Sequence, residues 1–149
     1  MFHVTSAFLL VGGSVVAAIL NTLATRAERP SDVAVLMRLI RRALPVIFVG
    51  VGGTLVFGLW LWHERHLPFG AAWIWLSLAL WVVANAAGGM GGRRQEQARV
   101  LAEQLANAGD EPSSELTALL RDPVAVALNY GAGAATLAIL VLMIWKPGS

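Results

Sequence analysis

The chain has 149 residues, of which 57 % are hydrophobic and 13 % are charged, and its formal net charge is +2 at pH 7. Soluble domains carry about 25 % charged residues, so this composition excludes an ordinary soluble domain. The absence of cysteine excludes disulfides and thiolate metal sites. The arginines flank apolar segments and do not form a basic face, so no nucleic-acid partner is predicted.

Four segments are long enough to cross a bilayer, whose hydrocarbon core requires about 20 mainly apolar residues per helix. They lie at 2–24, 44–62, 70–88 and 124–145. We therefore predict an all-α integral membrane four-helix bundle, with residues 1–149 forming one multi-pass transmembrane domain in contact with lipid.

Basic residues are divided unevenly between the connections. Nine arginines lie before helix two or between helices three and four, whereas the other side carries Arg65 and Lys146. The positive-inside rule then predicts that both long connections are cytoplasmic and both termini are outside, in the cytoplasmic membrane. Five tryptophans fall at the predicted outer ends, as in an aromatic belt: Trp60, Trp62, Trp73, Trp75 and Trp145.

The first connection is predicted to form a separate amphipathic helix over about 32–43. The segment Pro30–Ser31–Asp32 is typical of a helix start, where a serine or aspartate oxygen accepts from free backbone N–H groups. Apolar residues then recur at helical spacing: Val33, Leu36, Met37 and Ile40. This pattern indicates a helix on the inner membrane surface, and Pro45 predicts a bend where helix two begins.

The connection at about 93–122 is predicted to form a short cytoplasmic helical hairpin between helices three and four. Residues 95–108 form its first helix, ended by Gly109, and residues 115–121 its second. Asp122–Pro123 is typical of an N-cap followed by a first-turn proline. The glycine-rich segment 88–92 lacks the lysine of a phosphate loop and is predicted to be a flexible exit from the membrane.

No Asp, Glu, Lys or Arg lies within the four predicted membrane segments. Pumps and ion-coupled transporters keep such groups in the membrane, so these classes are disfavoured. No arrangement of nucleophile and base is recognisable either, and the chain is not predicted to be an enzyme on its own. Interhelical hydrogen bonds are predicted for polar residues at a similar depth: Asn21, Asn85, Asn129 and Tyr130.

The predicted topology places His3, His63 and His66 at the outer end. If helices one and two are neighbours, His3 and His63 can face each other. Imidazole can ligate haem iron axially, and it also binds copper or zinc. Arg65 can pair with haem propionates. The alternative is that these histidines are hydrated interfacial side chains.

The opening F-H-V-T-S-A-F-L-L-V-G-G contains His3, Ala7, Gly12 and Gly13, and its glycines permit close approach of a helix or a flat ligand. It resembles the first helix of an uncharacterised family of small bacterial integral membrane proteins, distantly similar to CopD-like and HemJ-type proteins. The arginine-rich first connection and the terminal L-M-I-W-K-P-G extend the resemblance over nearly the whole chain.

In the HemJ-type relatives the first-helix histidine is associated with haem, so the resemblance implies that His3 is an axial ligand. Those relatives also use a lysine in the third helix, and residues 70–88 contain none. The resemblance therefore does not extend to their oxidase activity.

Three functions remain open. The first is binding of b-type haem near the outer face, by His3 with His63 as second ligand, for electron transfer or haem handling. The second is a cofactor-free accessory or structural subunit, as a homo-oligomer or in a larger membrane complex. The third is copper or zinc binding by His3, His63 and His66.

Overall fold

The computed structural model describes residues 1–64 and 72–145. Their regular structure is helical throughout, in the order α1 (Phe2–Arg26), α2 (Pro30–Glu64), α3 (Ala72–Asn107), α4 (Ser114–Leu120) and α5 (Pro123–Trp145). The helices α1, α2 and α3 and the segment that ends in α5 are each long and apolar enough to cross a membrane. The prediction of an all-α protein with four membrane helices is therefore confirmed.

The four long helices lie side by side in chain order, because α1 packs on α2, α2 on α3, and α3 on α5. By contrast, α1 and α5 make almost no contact with each other, so the bundle is open on that side. We call the end that holds Met1, Glu64 and Trp145 the terminal end. The opposite end, where the nine arginines lie, is called the arginine end.

Small residues on α1 and α2 allow these helices to approach closely. A Cβ on Gly13 would lie 2.7 Å from Cγ1 of Ile47, and one on Gly50 would lie 2.5 Å from the backbone nitrogen of Leu10. These pairs follow one another evenly in antiparallel register. The seam therefore depends on backbone proximity, as expected for helices that associate in lipid.

The structure corrects two predicted boundaries. The segment 32–43 is not a separate helix, because α2 continues through Pro45 for 35 residues. Likewise, the first helix of the predicted hairpin and the glycines of 88–92 belong to α3. At about 1.5 Å per residue, α2 extends about 52 Å and so projects well beyond a hydrocarbon core of about 30 Å.

The projecting parts of these helices contain the main hydrophobic core. Its buried members come from α1, α2, α3 and α4: Ala24, Val33, Ala34, Met37, Ile40, Ala98, Ala102 and Leu116. The apolar face of 32–43 is thus buried in protein, and the interpretation as a membrane-surface helix is corrected. Pro45 removes one backbone hydrogen bond from α2. Because the part of α2 before Pro45 is held by this core, the helix continues through the proline.

Two hydrogen bonds join the start of α2 to the connection between α3 and α4. Ser31 donates from its backbone nitrogen to Oδ1 of Asp110 and from its hydroxyl to Oδ2, each at 2.7 Å. The start of α2 is therefore capped by Asp110, whereas the sequence predicts a cap from Ser31 or Asp32. The hydrogen bonds from Ser31 lower the pKa of the Asp110 carboxyl below its ordinary value.

The predicted helix signals on either side of α4 are confirmed. Gly109 has a φ of +132° and follows the end of α3. Oδ1 of Asp122 accepts from the backbone nitrogen of Val124 at 3.2 Å, which caps α5. The second hairpin helix is α4, at Ser114–Leu120.

Ion pairs tie α2 to α3 beside the core. Arg41 lies 2.7 Å from Glu96, and Arg38 lies 3.3 Å from Glu103. Arg99, whose side chain is 16 % exposed, pairs with both glutamates. The arginine end is therefore a compact helical unit, held by apolar packing and by a charge network.

Candidate functional site

His3 lies on the side of α1 that faces α2. A Cβ on Gly58 would lie 3.2 Å from Cε1 and 3.5 Å from Nδ1 of His3, so the ring occupies space that a side chain on α2 would fill. Its Nδ1 is enclosed and has no hydrogen-bond partner among the described residues. The adjacent Phe2 and Phe57 stack with ring centroids 5.3 Å apart.

The structure does not bring His3 and His63 together. His63 is exposed, and it lies about 7.5 Å along α2 from Gly58 and about 140° around the helix. Arg65 and His66 lie outside the described residues. Within 1–64 and 72–145, no group of three or more His, Cys, Asp or Glu side chains could hold a metal ion.

His3 lies in the first turn of α1, and its level on α3 follows from the contacts of α2. Trp62 and Trp75 form an edge-to-face contact with centroids 6.2 Å apart, which sets the register of α2 and α3. Because α2 and α3 are antiparallel, Gly58 on α2 is level with residue 79 on α3: Gly58 precedes Trp62 by the same number of residues as residue 79 follows Trp75. His3 is therefore level with the middle of the segment Ser77–Trp81, and about 9 Å below Glu64 along α2.

Gly12 and Gly13, predicted to leave room for a flat ligand, do not contribute to this site. A Cβ on Gly13 would meet Ile47, and one on Gly12 would meet nothing within 4 Å. Both lie about 14 to 15 Å along α1 from His3. Gly13 therefore serves the packing of α1 on α2.

Ser77 on α3 is a buried polar residue that sequence reasoning does not find. Its side chain is 5 % exposed, and its hydroxyl has no hydrogen-bond partner among the described residues. Other hydroxyls in the long helices donate to a carbonyl of the preceding turn: Thr5, Ser6, Ser14, Thr22, Thr25, Thr54 and Thr136. Ser77 forgoes this local bond, so its hydroxyl is available to another group.

Trp81 lies one turn further along α3 and shares this property. Its Nε1 is enclosed and unpaired within the described part of the chain, whereas Nε1 of Trp60 donates to Glu64 at 2.9 Å. The sequence does mark Trp81, because it is the tryptophan that lies away from the predicted aromatic belt.

His3 and Ser77 lie at a similar depth on α1 and α3. Nε2 of Gln95 donates to Oδ1 of Asn21 at 3.3 Å, which identifies the facing sides of these helices. His3 precedes Asn21, and Ser77 precedes Gln95, by the same interval of about five helical turns. Ser77 and Trp81, about one turn apart, share a face of α3. We call His3, Ser77 and Trp81 the terminal polar layer.

The asparagine side chains that are predicted to form interhelical hydrogen bonds make different contacts from one another. Asn21 forms the interhelical bond that the sequence predicts, and Oδ1 of Asn129 packs against Gly91, where a Cβ would lie 2.8 Å away. Asn85 instead donates to the carbonyl of Trp81 on its own helix at 2.7 Å. Tyr130 is 72 % exposed and does not join the cluster.

The terminal polar layer offers hydrogen bonding without charge. Indole N–H can only donate, a hydroxyl can donate or accept, and a neutral imidazole has one group of each kind. An enclosed polar group without a partner costs about 1–3 kcal/mol. Three such groups at one depth are therefore suited to binding a molecule that supplies their partners.

Residues 1–147 match the family model described as "Predicted integral membrane protein (DUF2269)". Comparisons with curated proteins and with solved structures found no match. The matched residues include all four membrane helices and the arginine end.

Proposed function

Because the chain belongs to the DUF2269 family of predicted integral membrane proteins, we propose that it is a membrane-embedded binding protein with its site at the terminal polar layer. The observation that carries this proposal is the shared depth of three enclosed, unpaired polar groups on α1 and α3. Buried polar groups are ordinarily hydrogen-bonded. Polar side chains inside a membrane segment also commonly mark functional sites.

Binding is favoured over transport driven by ions. No Asp, Glu, Lys or Arg lies in the apolar parts of the membrane helices, so a proton relay through the bilayer has no carriers of that kind.

Haem b is a second candidate, favoured by the position of the His3 ring against Gly58 between α1 and α2. If haem were bound here, an imidazole nitrogen of His3 would hold its iron. The described residues supply this single ligand, since His63 lies on another side of α2. Haem at this site would support electron transfer or haem handling.

The test is to purify the protein in mild detergent from haem-replete cells and to record its absorbance, metal content and extractable small molecules. We expect a bound molecule in the wild type that is lost in His3→Phe, which keeps an aromatic ring. A Soret band identifies haem, and copper or zinc would point to the histidines alone. The control is Ser14→Ala, because Ser14 bonds to Leu10 on its own helix. A preparation without any bound molecule contradicts the proposal.

A cofactor-free subunit of a larger complex remains the alternative proposal. The open side of the bundle between α1 and α5 supports it, because this side leaves both helices available to a neighbour. Reproducible co-purification of one larger complex with a preparation that carries no bound molecule would favour this alternative.

We also propose the cytoplasmic membrane, with both termini outside, on the basis of the nine arginines at one end. A cysteine introduced as His63→Cys should react with an impermeant thiol reagent in intact spheroplasts, and Gln104→Cys should not. The reverse pattern would overturn the orientation.

A further inference from the structure

We propose that Arg42 on α2 and Arg93 on α3 bind the phosphate of an anionic phospholipid at the membrane boundary of the arginine end. This site is separate from the terminal polar layer and does not depend on the function of that layer. The proposal follows from the charge of the two arginines, from their shared position beside the contact of α2 with α3, and from the apolar surface next to them.

The charges of Arg42 and Arg93 are not neutralised by the protein. Four arginines of this end form ion pairs with acidic side chains: Arg38, Arg41, Arg94 and Arg99. Arg42 and Arg93 are exposed, and they form no ion pair or hydrogen bond within residues 1–64 and 72–145. Both guanidinium groups are therefore available to an anion from outside the chain.

The neighbouring charge network does not repel such an anion. The acid nearest to Arg93 along α3 is Glu96, three residues further on. Glu96 and Glu103 are held by three arginines of the network, so the network carries one more positive charge than negative. On α2 no Asp or Glu follows Arg42 before Glu64. The potential between the two arginines therefore favours a negative group.

Both arginines border the contact between α2 and α3. Arg42 follows Arg38 by four residues and Arg93 precedes Glu96 by three, and side chains at these spacings are neighbours on a helix. Arg38 and Glu96 each form an ion pair across the contact. The pair of Arg41 with Glu96 sets the antiparallel register, from which Arg42 lies about 1.5 Å and Arg93 about 4.5 Å further toward the membrane. The two residues thus differ by only about 3 Å in depth.

The two arginines also lie on the same side of this contact. Arg42 is about 160° around α2 from Ile40, and Arg93 is about 180° around α3 from Ala102. Ile40 and Ala102 are both buried in the core of the arginine end. Arg42 and Arg93 are therefore both directed away from that core, so their side chains can converge on one phosphate.

Their depth corresponds to the edge of the hydrocarbon core. Trp62 and Trp75 mark the interface at the terminal end, where tryptophan collects. Arg42 lies about 30 Å along α2 from Trp62, and Arg93 lies about 27 Å along α3 from Trp75. The hydrocarbon core is about 30 Å thick. Both arginines are therefore at the level of the lipid headgroups on the other side of the membrane.

An exposed apolar surface continues from the arginines into the membrane. Val46, one turn from Arg42, is 45 % exposed. Gly89, one turn from Arg93, is also exposed, and a Cβ there would meet nothing within 4 Å. An acyl chain can lie on this surface while guanidinium N–H groups donate to the phosphate. The combination of charge and apolar surface fits a lipid better than a soluble anion.

The experiment measures lipid binding to the full-length protein in detergent by native mass spectrometry. The probes are phosphatidylglycerol and phosphatidylcholine with the same acyl chains, and we expect the wild type to bind phosphatidylglycerol more tightly. Arg42→Gln and Arg93→Gln should each weaken this binding about fivefold, since each removes one arginine from the headgroup region. The double variant should bind more weakly than either single variant.

Arg26→Gln is the matched control. Arg26 is exposed and forms no ion pair or hydrogen bond among the described residues. The contact of Gly13 with Ile47 sets the register of α1 and α2, and it places Arg26 about 12 Å further from the membrane than Arg42. This variant loses the same charge and should bind phosphatidylglycerol like the wild type.

The outcomes separate a lipid site from general attraction by charge. All variants should keep the wild-type midpoint in SDS denaturation, because the substituted side chains are exposed. Equal affinity of the wild type for the two lipids overturns the proposal, and so does equal affinity of the wild type and the double variant for phosphatidylglycerol. An equal loss in Arg26→Gln would show that affinity follows total charge and would also overturn it. Displacement of the lipid by excess glycerol phosphate would show a site for a soluble anion instead.

Discussion

Gly50 shows how single backbone positions set the approach of α1 to α2. A Cβ there would lie 2.5 Å from the nitrogen and 2.8 Å from the Cα of Leu10, and these backbone atoms cannot turn aside as a side chain can. We predict that Gly50→Ala separates the helices and lowers the free energy of unfolding by about 1–3 kcal/mol. SDS denaturation of the detergent-solubilised protein measures this change.

Gly52 provides the matched control for that substitution. It lies two residues further along α2, it is exposed, and a Cβ there would meet nothing within 4 Å. Because alanine favours a helix over glycine by about 1 kcal/mol, Gly52→Ala should leave stability unchanged or raise it. If both variants lose stability equally, close contact at Gly50 is not what holds α1 and α2 together.

The residues of the terminal polar layer differ in how far the sequence reveals them. His3 can be recognised because histidine is rare in this chain, and Trp81 because it lies away from the aromatic belt. Ser77 gives no such signal, since a serine in a membrane helix usually bonds to its own backbone. The direction of its hydroxyl depends on tertiary packing, which the sequence pattern does not contain.

At the level of elements, the helix starts and stops are well predicted, but the continuity of α2 and α3 is not. Hydropathy separates apolar from polar segments, and Pro45 and the glycines of 88–92 suggest breaks by local rules. Met37 and Ile40 belong to a buried core that also contains residues of α1, α3 and α4, and this packing at the arginine end overrides those rules. Local propensity cannot anticipate a core whose members come from four separate helices.

The cap of α2 by Asp110 makes the arginine end sensitive to acid. The pKa of Asp110 is lowered from its ordinary value of 3.8, chiefly by the hydrogen bonds from Ser31. A lowered pKa means that the ionised carboxyl stabilises the fold above pH 3.8 and that this contribution disappears as pH falls through the lower, folded-state pKa. We predict that Tm decreases over this acidic range.

The variant Asp110→Asn isolates this contribution, since asparagine keeps the shape and tolerates the positive φ of 59° at this position. At neutral pH its Tm should be lower than that of the wild type, and the two values should converge in acid. Thermal unfolding in detergent across pH measures both curves. A constant difference at every pH would mean that the charge of Asp110 has no part in the cap.

On the scale of the whole molecule, the main core lies beside the membrane and not within it. Leu116 on α4 is 4 % exposed and belongs to this core. Truncation of a buried leucine costs about 2–5 kcal/mol, so we predict a corresponding loss of stability in Leu116→Ala. Leu137→Ala is the control, because Leu137 on α5 is 61 % exposed. A similar loss of stability in both variants would show that α4 does not hold the long helices together.

The same variant tests whether the arginine end positions the membrane helices. The chain has no cysteine, so spin labels can be placed through Val4→Cys on α1 and Val141→Cys on α5, both exposed positions. We predict that Leu116→Ala broadens the distance distribution between these labels in pulsed electron resonance. An unchanged distribution would mean that the membrane helices are held by their own contacts.

The number of membrane helices is predictable because it follows from length and hydropathy. Their arrangement is not, since almost every residue in these segments is apolar and the sequence does not distinguish faces that meet lipid from faces that meet protein. The open side between α1 and α5 therefore emerges from the structure alone.

The helices α2 and α3 cross the apolar region and enter the core at the arginine end as single rods. Each of these two helices can tilt as a rigid body about the arginine end. Over a span of about 30 Å, a tilt of about 5° at this end displaces the far end by about 2.6 Å. A tilt of α3 at the arginine end would therefore displace Ser77 and Trp81 at the terminal end.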